Sequence, residues 1–142
     1  VNLVCVGKLK ESYWRDAVAE YAKRLSRFCK WEVRELPERR SPEEEAESIL
    51  KECRGYIIAL AVEGKICSSE QLAAKLKQLC DAGKEVTFVI GSSCGLAPRV
   101  KQAADELLSF SPMTFPHQMM RVILSEQVYR AFMINAGAEY HK

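Results

Sequence analysis

The sequence predicts an α/β fold, a mainly parallel sheet flanked by helices, in a single domain spanning residues 1–142. Three observations carry this. Segments with a strand pattern alternate with segments of helical periodicity along the whole chain. "YIIALAV" (Tyr56–Val62) is a continuous apolar run and "EVTFVI" (Glu85–Ile90) a second strand of the same kind, as central parallel strands covered on both faces require. With 48% apolar and 28% charged residues, 142 residues suffice for one buried core.

The elements follow in order. "NLVCV" (Asn2–Val6) reads as a strand that Gly7 ends. Between Ser12 and Phe28, Trp14, Val18, Tyr21 and Leu25 recur at helical spacing. "WEVREL" (Trp31–Leu36) alternates like a strand with one wet face, and Pro37–Arg40 is a charged loop. Ser41 as N-cap, Pro42 at the first helical position and three following glutamates open a helix that Gly55 closes. After Tyr56–Val62, Ser68 and Gln71 form a capping box for a helix carrying Leu72, Leu76 and Leu79, closed by Gly83. Glu85–Ile90 runs into "GSSCGLAP" and a short helix from Pro98. "LLSFS" (Leu107–Ser111) is the last strand, and "PMTFP" leads to a final helix over His117–Asn135. Parallel sheets bind ligands beyond the carboxyl ends of their strands. The site is therefore expected in the loops after Val62, Ile90 and Ser111.

Composition narrows the function classes. No apolar run approaches the ~18 to 20 residues that span a bilayer, so no membrane association and a cytoplasmic location are expected. Six cysteines at 5, 29, 53, 67, 80 and 94 form no C-x-x-C pair, which argues against a metal site and for small buried hydrophobes. The net charge is only +2, but residues 1–40 hold ten Lys/Arg against six Asp/Glu. That segment suits an anionic partner such as nucleic acid, and equally a solvated helix face.

Three motifs stand out. "IGSSCG" (Ile90–Gly95) places two glycines after a buried strand, where the backbone can approach a ligand or simply turn. It is not G-x-G-x-x-G, and the chain has no G-x-x-x-x-G-K-[ST]. "SFSPMTFPH" (Ser109–His117) offers hydroxyls and apolar side chains that could hold an adenosine, or a sharp linker. In the final helix, Met119, Met120, Val122, Ile123, Val128 and Phe132 leave little of the surface polar, so it is either deeply buried or shared with a partner chain. The only histidines are His117, at the start of that helix, and His141, in the terminal "EYHK".

Taken together, "FVIG…GL" (Phe88–Leu96), "LSFSPMTFPHQMMRVILSEQVYRAF" (Leu108–Phe132), "YH" (Tyr140–His141) and the start "VGKLKESYW…EYAKRL" resemble the RlmH family. These are SPOUT-superfamily methyltransferases that modify pseudouridine in large-subunit ribosomal RNA. The resemblance covers essentially the whole chain. It implies an α/β knot, with the C-terminal segment forming a trefoil knot where ordinary topology rules predict none. It also implies a homodimer, a ribosomal RNA partner, and S-adenosylmethionine held by three loops. In this chain those loops map to Leu60, to Gly91 and Gly95, and to Phe110, Ser111, Pro112, Met113, Thr114 and Phe115. The family commonly has Gly-Gly and an acidic residue where Ser92 and Cys94 stand here. A catalytically inactive RNA-binding module of the same fold is the alternative those two positions raise.

The reaction implied is methylation of N3 of a pseudouridine, whose N3–H must lose a proton. A histidine with a pKa near ~6.5 can accept it. The expected catalytic residues are His141 as base, Tyr140 as the residue that positions or stacks on the base, and Arg121 as an anion contact, with Arg130 as a second candidate for that contact. His117 is expected to cap its helix or line the cofactor loop. Light scattering at micromolar concentration should report a dimer, since the Met119–Phe132 helix carries more apolar surface than one subunit should leave bare. A stable monomer would contradict this.

Overall fold

A computed structural model describes residues 1–142. Five parallel strands, β1 (Asn2–Val6), β2 (Glu32–Leu36), β3 (Tyr56–Ile66), β4 (Val86–Ile90) and β5 (Glu106–Ser109), form one sheet in the order β2-β1-β4-β3-β5. The helices are α1 (Ser12–Leu25), α2 (Pro42–Glu52), α3 (Ser69–Asp81), α4 (Pro98–Ala103) and α5 (His117–Asn135).

Side-chain alternation along the strands divides the core into two layers. Leu3 and Cys5 of β1, with Phe88 and Ile90 of β4, point to the face covered by α1, α3 and α5. Val4 and Val6, with Val89 and Ala59, point to the face covered by α2 and α4 through Ala46, Ile49 and Val100. Both faces of β4 are buried throughout, as its apolar sequence requires. β2 is an edge strand whose three central residues are all exposed, so it has less of a dry face than its alternation suggested.

The helix starts follow the local chemistry. Ser41 Oγ accepts from the Glu44 N–H at 3.3 Å. At α3 the capping box is complete: Ser68 Oγ accepts from Gln71 N–H and Gln71 Oε1 accepts from Ser68 N–H. Leu72, Leu76 and Leu79 then enter the core, each side chain contributing ~1.5 to 3 kcal/mol by burial.

Two features depart from the sequence reading. β3 runs on to Ile66, because its pairing with β5 breaks and resumes: both Leu60 and Lys65 register with Leu108, and the intervening residues bulge out. Gly64 makes this possible, since a Cβ there would stand 2.7 Å from the Leu107 carbonyl carbon. The cysteines are also not uniformly buried. Cys5 is, and burial pushes its thiol up to about 11, whereas Cys80 lies exposed near the end of α3 and Cys94 in an exposed loop.

α5 lies on the sheet between α1 and α3. No residue from His117 to Ile134 is fully exposed, so much of its apolar character serves its own subunit. Near its start, Arg121 is only 1% exposed. Its guanidinium donates to Glu35 Oε2 at 2.8 Å and to the carbonyls of Val6 and Gly7 at 2.7 Å each, tying α5 to the ends of β1 and β2. No helix is long and apolar enough to cross a membrane. Arg121→Ala would leave those acceptors behind and should lower the unfolding free energy by about 3 kcal/mol, read as a shift of the urea midpoint. Arg121→Lys should recover only part of that, because one ammonium nitrogen cannot reproduce the planar fork by which two guanidinium nitrogens reach Glu35 and the two carbonyls.

Candidate active site

The bulged loop within β3 after Leu60 and the loops at the carboxyl ends of β4 and β5 enclose a cavity of about 560 Å³, within the range of small-ligand sites. Leu60, Gly91, Gly95, Phe110, Ser111, Met113, Thr114 and Phe115 all line it, whereas Pro112 does not. Eight of the nine expected cofactor positions are therefore brought together from three separate loops.

Each loop has a physical reason for its shape. Gly91 is buried, and a Cβ there would meet the Gly95 carbonyl oxygen at 2.6 Å and its carbon at 2.8 Å. Its missing side chain is thus demanded first by the loop's own backbone. Ser92 and Gly95 pair across the turn, with the Gly95 N–H donating to the Ser92 carbonyl at 2.9 Å. Ser92 Oγ accepts from the Cys94 N–H at 3.3 Å, so the serine in the place of a glycine helps to hold the turn. In the third loop both serine hydroxyls bond within the loop: Ser109 Oγ donates to the Ser111 carbonyl, and Ser111 Oγ accepts from the Met113 N–H, both at 3.0 Å, while Thr114 also lines the cavity. Free backbone groups and apolar walls are left for a ligand.

Glu63 and Lys101 also line the cavity and form an ion pair, which holds the Glu63 carboxyl below its ordinary range. Sequence reasoning missed both; Gly64 within a strand was the available sign of a bulge there. His117 lines the cavity as expected, but Pro116 occupies the N-cap position and no side-chain cap forms. Burial, reinforced by Arg121, pushes the His117 imidazole down, which favours its neutral form.

None of the three expected catalytic residues lines this cavity. Arg121 is the clamp described above, with three acceptors engaged, so its expected contact with a bound anion has no free guanidinium edge beyond Nε. The tail does fold back, onto the far end of α5 and the start of α3. Tyr140 Oη donates to Glu126 Oε2 at 3.2 Å, its ring meets Tyr129 edge-on, and the Arg130 guanidinium lies 4.8 Å from its centroid. Burial and Glu126 push the Tyr140 phenol up, so it stays protonated. His141 Nδ1 lies 3.0 Å from Arg130 Nη1, and Nε2 lies 2.5 Å from Glu70 Oε1. A guanidinium only donates, so these partners require Nδ1 to accept and Nε2 to carry the proton. His141 in turn holds the Glu70 carboxyl below its ordinary range. Arg121 and Arg130 are nine residues apart on one helix, roughly 13 Å along its axis, so the clamp and the tail are distinct places.

The chain as a whole is similar to known proteins. The family described as "Predicted SPOUT methyltransferase" matches residues 1–141. Proteins named "Ribosomal RNA large subunit methyltransferase H" from Bifidobacterium adolescentis and Levilactobacillus brevis are each 50% identical over an alignment of 157 positions, gaps included, covering 100% of this chain and 99% of theirs. One from Bifidobacterium animalis subsp. lactis is 52% identical with the same coverage. Among solved structures, a methylase family protein from Neisseria gonorrhoeae is similar with a TM-score of 0.56 at 11% identity, over 90% of this chain and 81% of that one. TrmJ from Z. mobilis ZM4 gives 0.51 at 10% identity, over 92% and 69%. On this full-length match, and with a parallel sheet whose three terminal loops build one cavity, the chain belongs to the SPOUT methyltransferase family and has its α/β knot fold.

Proposed function

We propose that this protein is a homodimeric enzyme that uses S-adenosylmethionine to methylate N3 of a pseudouridine in 23S ribosomal RNA, in the cytoplasm. The observation that carries this reading is the cavity built from the loops after Leu60, Ile90 and Leu108. Its support is the name shared by relatives at about half identity over the full chain.

The residues present fit the cofactor. Leu60, Ile90, Leu96 and Phe110 give apolar walls for an adenine, and the close-packed Gly91–Gly95 turn brings backbone groups to the surface. When bound, the cofactor supplies a methyl group on a positively charged sulfur. The chain's own task is to hold the base in line and remove its N3 proton. In this reading His141 Nδ1 takes that proton, and Glu70 keeps the imidazole in the required tautomer by accepting from Nε2. Arg130 occupies the Nδ1 lone pair here, so it turns away to an RNA phosphate as the site closes. Tyr140 packs against the base. Arg121 is a positioning residue that fixes the start of α5 beside the cavity.

The dimer reading is supported by the half-exposed Met119, Val122 and Met133 of α5 and by exposed Val62, Ile66 and Met113 at the cavity side. The whole chain acts as one domain, supported by the single sheet that both core layers share. Exposed Lys23, Arg27, Lys30, Arg39 and Arg40 offer phosphate contacts.

Gly91→Ala should force the loop backbone apart and weaken S-adenosylmethionine binding at least tenfold by calorimetry. Unchanged affinity would put the cofactor elsewhere. Removing Tyr140–Lys142 should leave that affinity within about twofold yet slow methyl transfer tenfold or more, ~1.4 kcal/mol in barrier. His141→Ala should lose ~10² to 10⁴ in rate and recover part of it as pH rises and N3–H ionises unaided. A wild-type rate with an unaltered pH profile would remove His141 from the mechanism.

A further inference from the structure

A second cavity, about 300 Å³, adjoins the first, and Phe110 and Phe115 line both. Leu72 and Ile123 add apolar surface, while Ser69 of α3 and Gln127 of α5 supply polar groups. Ser69 Oγ donates to Gln127 Oε1 at 2.6 Å, and Gln127 Nε2 donates to Glu126 Oε1 at 3.0 Å. Those two contacts fix the amide: its oxygen stands on the Ser69 side, and its nitrogen is held by Glu126. An amide oxygen has two lone pairs, and Ser69 uses one.

The cavity also lies between the two places the proposed reaction must bring together. On one side are the aromatic walls it shares with the cofactor cavity. On the other are the tail's anchors. Glu126, which holds the Gln127 amide, also accepts from Tyr140, and Glu70, next to Ser69 in sequence, is the partner of His141. A flat ring seated here would have apolar side chains against its faces and an acceptor at its edge.

We infer that this second cavity seats the target base and that Gln127 Oε1 reads the N1–H of pseudouridine. The inference rests on the proposed activity. Superposed at the sugar bond, uridine and pseudouridine share N3 and its two flanking carbonyls. Apart from the atom bonded to the sugar, they differ at one ring position, an N1–H donor in pseudouridine and a C–H in uridine. With N3 turned toward the rim where the cofactor cavity and the closing tail would meet, that position faces a side wall of the cavity. A carbonyl oxygen there rewards the donor and is left one partner short by the C–H, which is how a site built to bond an N–H rejects the analogue that lacks it. Gln127 selects and His141 reacts.

The test compares initial methylation rates on ribosomes whose target position carries pseudouridine or uridine, with S-adenosylmethionine affinity measured alongside. The wild-type protein should prefer pseudouridine at least tenfold. Gln127→Leu should keep cofactor affinity and bring the two rates within about threefold, chiefly by slowing the pseudouridine reaction. Gln127→Glu retains the acceptor and should restore the preference at a lower overall rate. A Gln127→Leu enzyme with the full preference, or a wild-type enzyme with none, would overturn the inference. A wild-type protein that binds the cofactor but methylates neither ribosome would overturn the proposed activity, and the inference with it.

Discussion

The guanidinium of Arg121 is the polar centre around which the carboxyl end of the sheet is arranged. A buried cation needs a countercharge and acceptors, and here it takes them from two strands at once: Glu35 of β2 and the last carbonyls of β1. Such a group adds less net stability than its contacts suggest, because removing it from water is costly. Its larger effect is on geometry. Sliding α5 by one turn would strand the cation among apolar side chains, so the helix has one register on the sheet. His117 and Met120 then fall at the rim of the large cavity, and the far end of the helix falls beside the tail.

The cavity itself is made by backbones that approach one another closely. At Gly64 the bulge of β3 rests on β5, and at Gly91 the loop after β4 rests on Gly95. Neither contact leaves room for a methyl group, so two of the cavity's three walls are set by packed main chain. The Glu63–Lys101 pair adds a charged lip across the outer edge. A wall of this kind is shaped before any ligand arrives, which lowers the ordering cost of binding. The tail is the opposite case, held by side-chain contacts of Tyr140 and His141 that can be exchanged.

What the sequence disclosed divides along the same line. Caps, strand positions and the three loops are local, and short-range patterns reveal them: Ser68 with Gln71, the apolar run of β4, the glycines after Ile90. The partners of the functional side chains are distant. Glu35 lies 86 residues from Arg121, Glu70 lies 71 from His141, and Ser69 lies 58 from Gln127. No periodicity records such pairs, and so Arg121 read as an anion contact with no sign of the clamp it forms with Glu35 and the end of β1. The resemblance to a family pointed to the loops that line the large cavity, and the same limit applied: it pointed to Tyr140 and His141 without showing what they rest on. The apolar circumference of α5 was ambiguous for a related reason, since a helix set between two others looks in sequence like one shared with another chain.

That placement of α5 also governs how the chain can come to its fold. α5 follows every other element in sequence, yet Leu124 and Val128 share a cluster with Leu3, Leu25 and Phe88. Until α5 is in place, one face of a wholly parallel sheet stands open between α1 and α3. Parallel pairing is already slow, because each strand must wait for a crossover before it meets its neighbour. The first strand made therefore remains uncovered on that side until nearly the last helix has been synthesised, and an exposed sheet face is the kind of surface on which partly made chains associate. Order of synthesis and order of closure run in opposite directions here, since the face that β1 begins is closed only when the last helix docks.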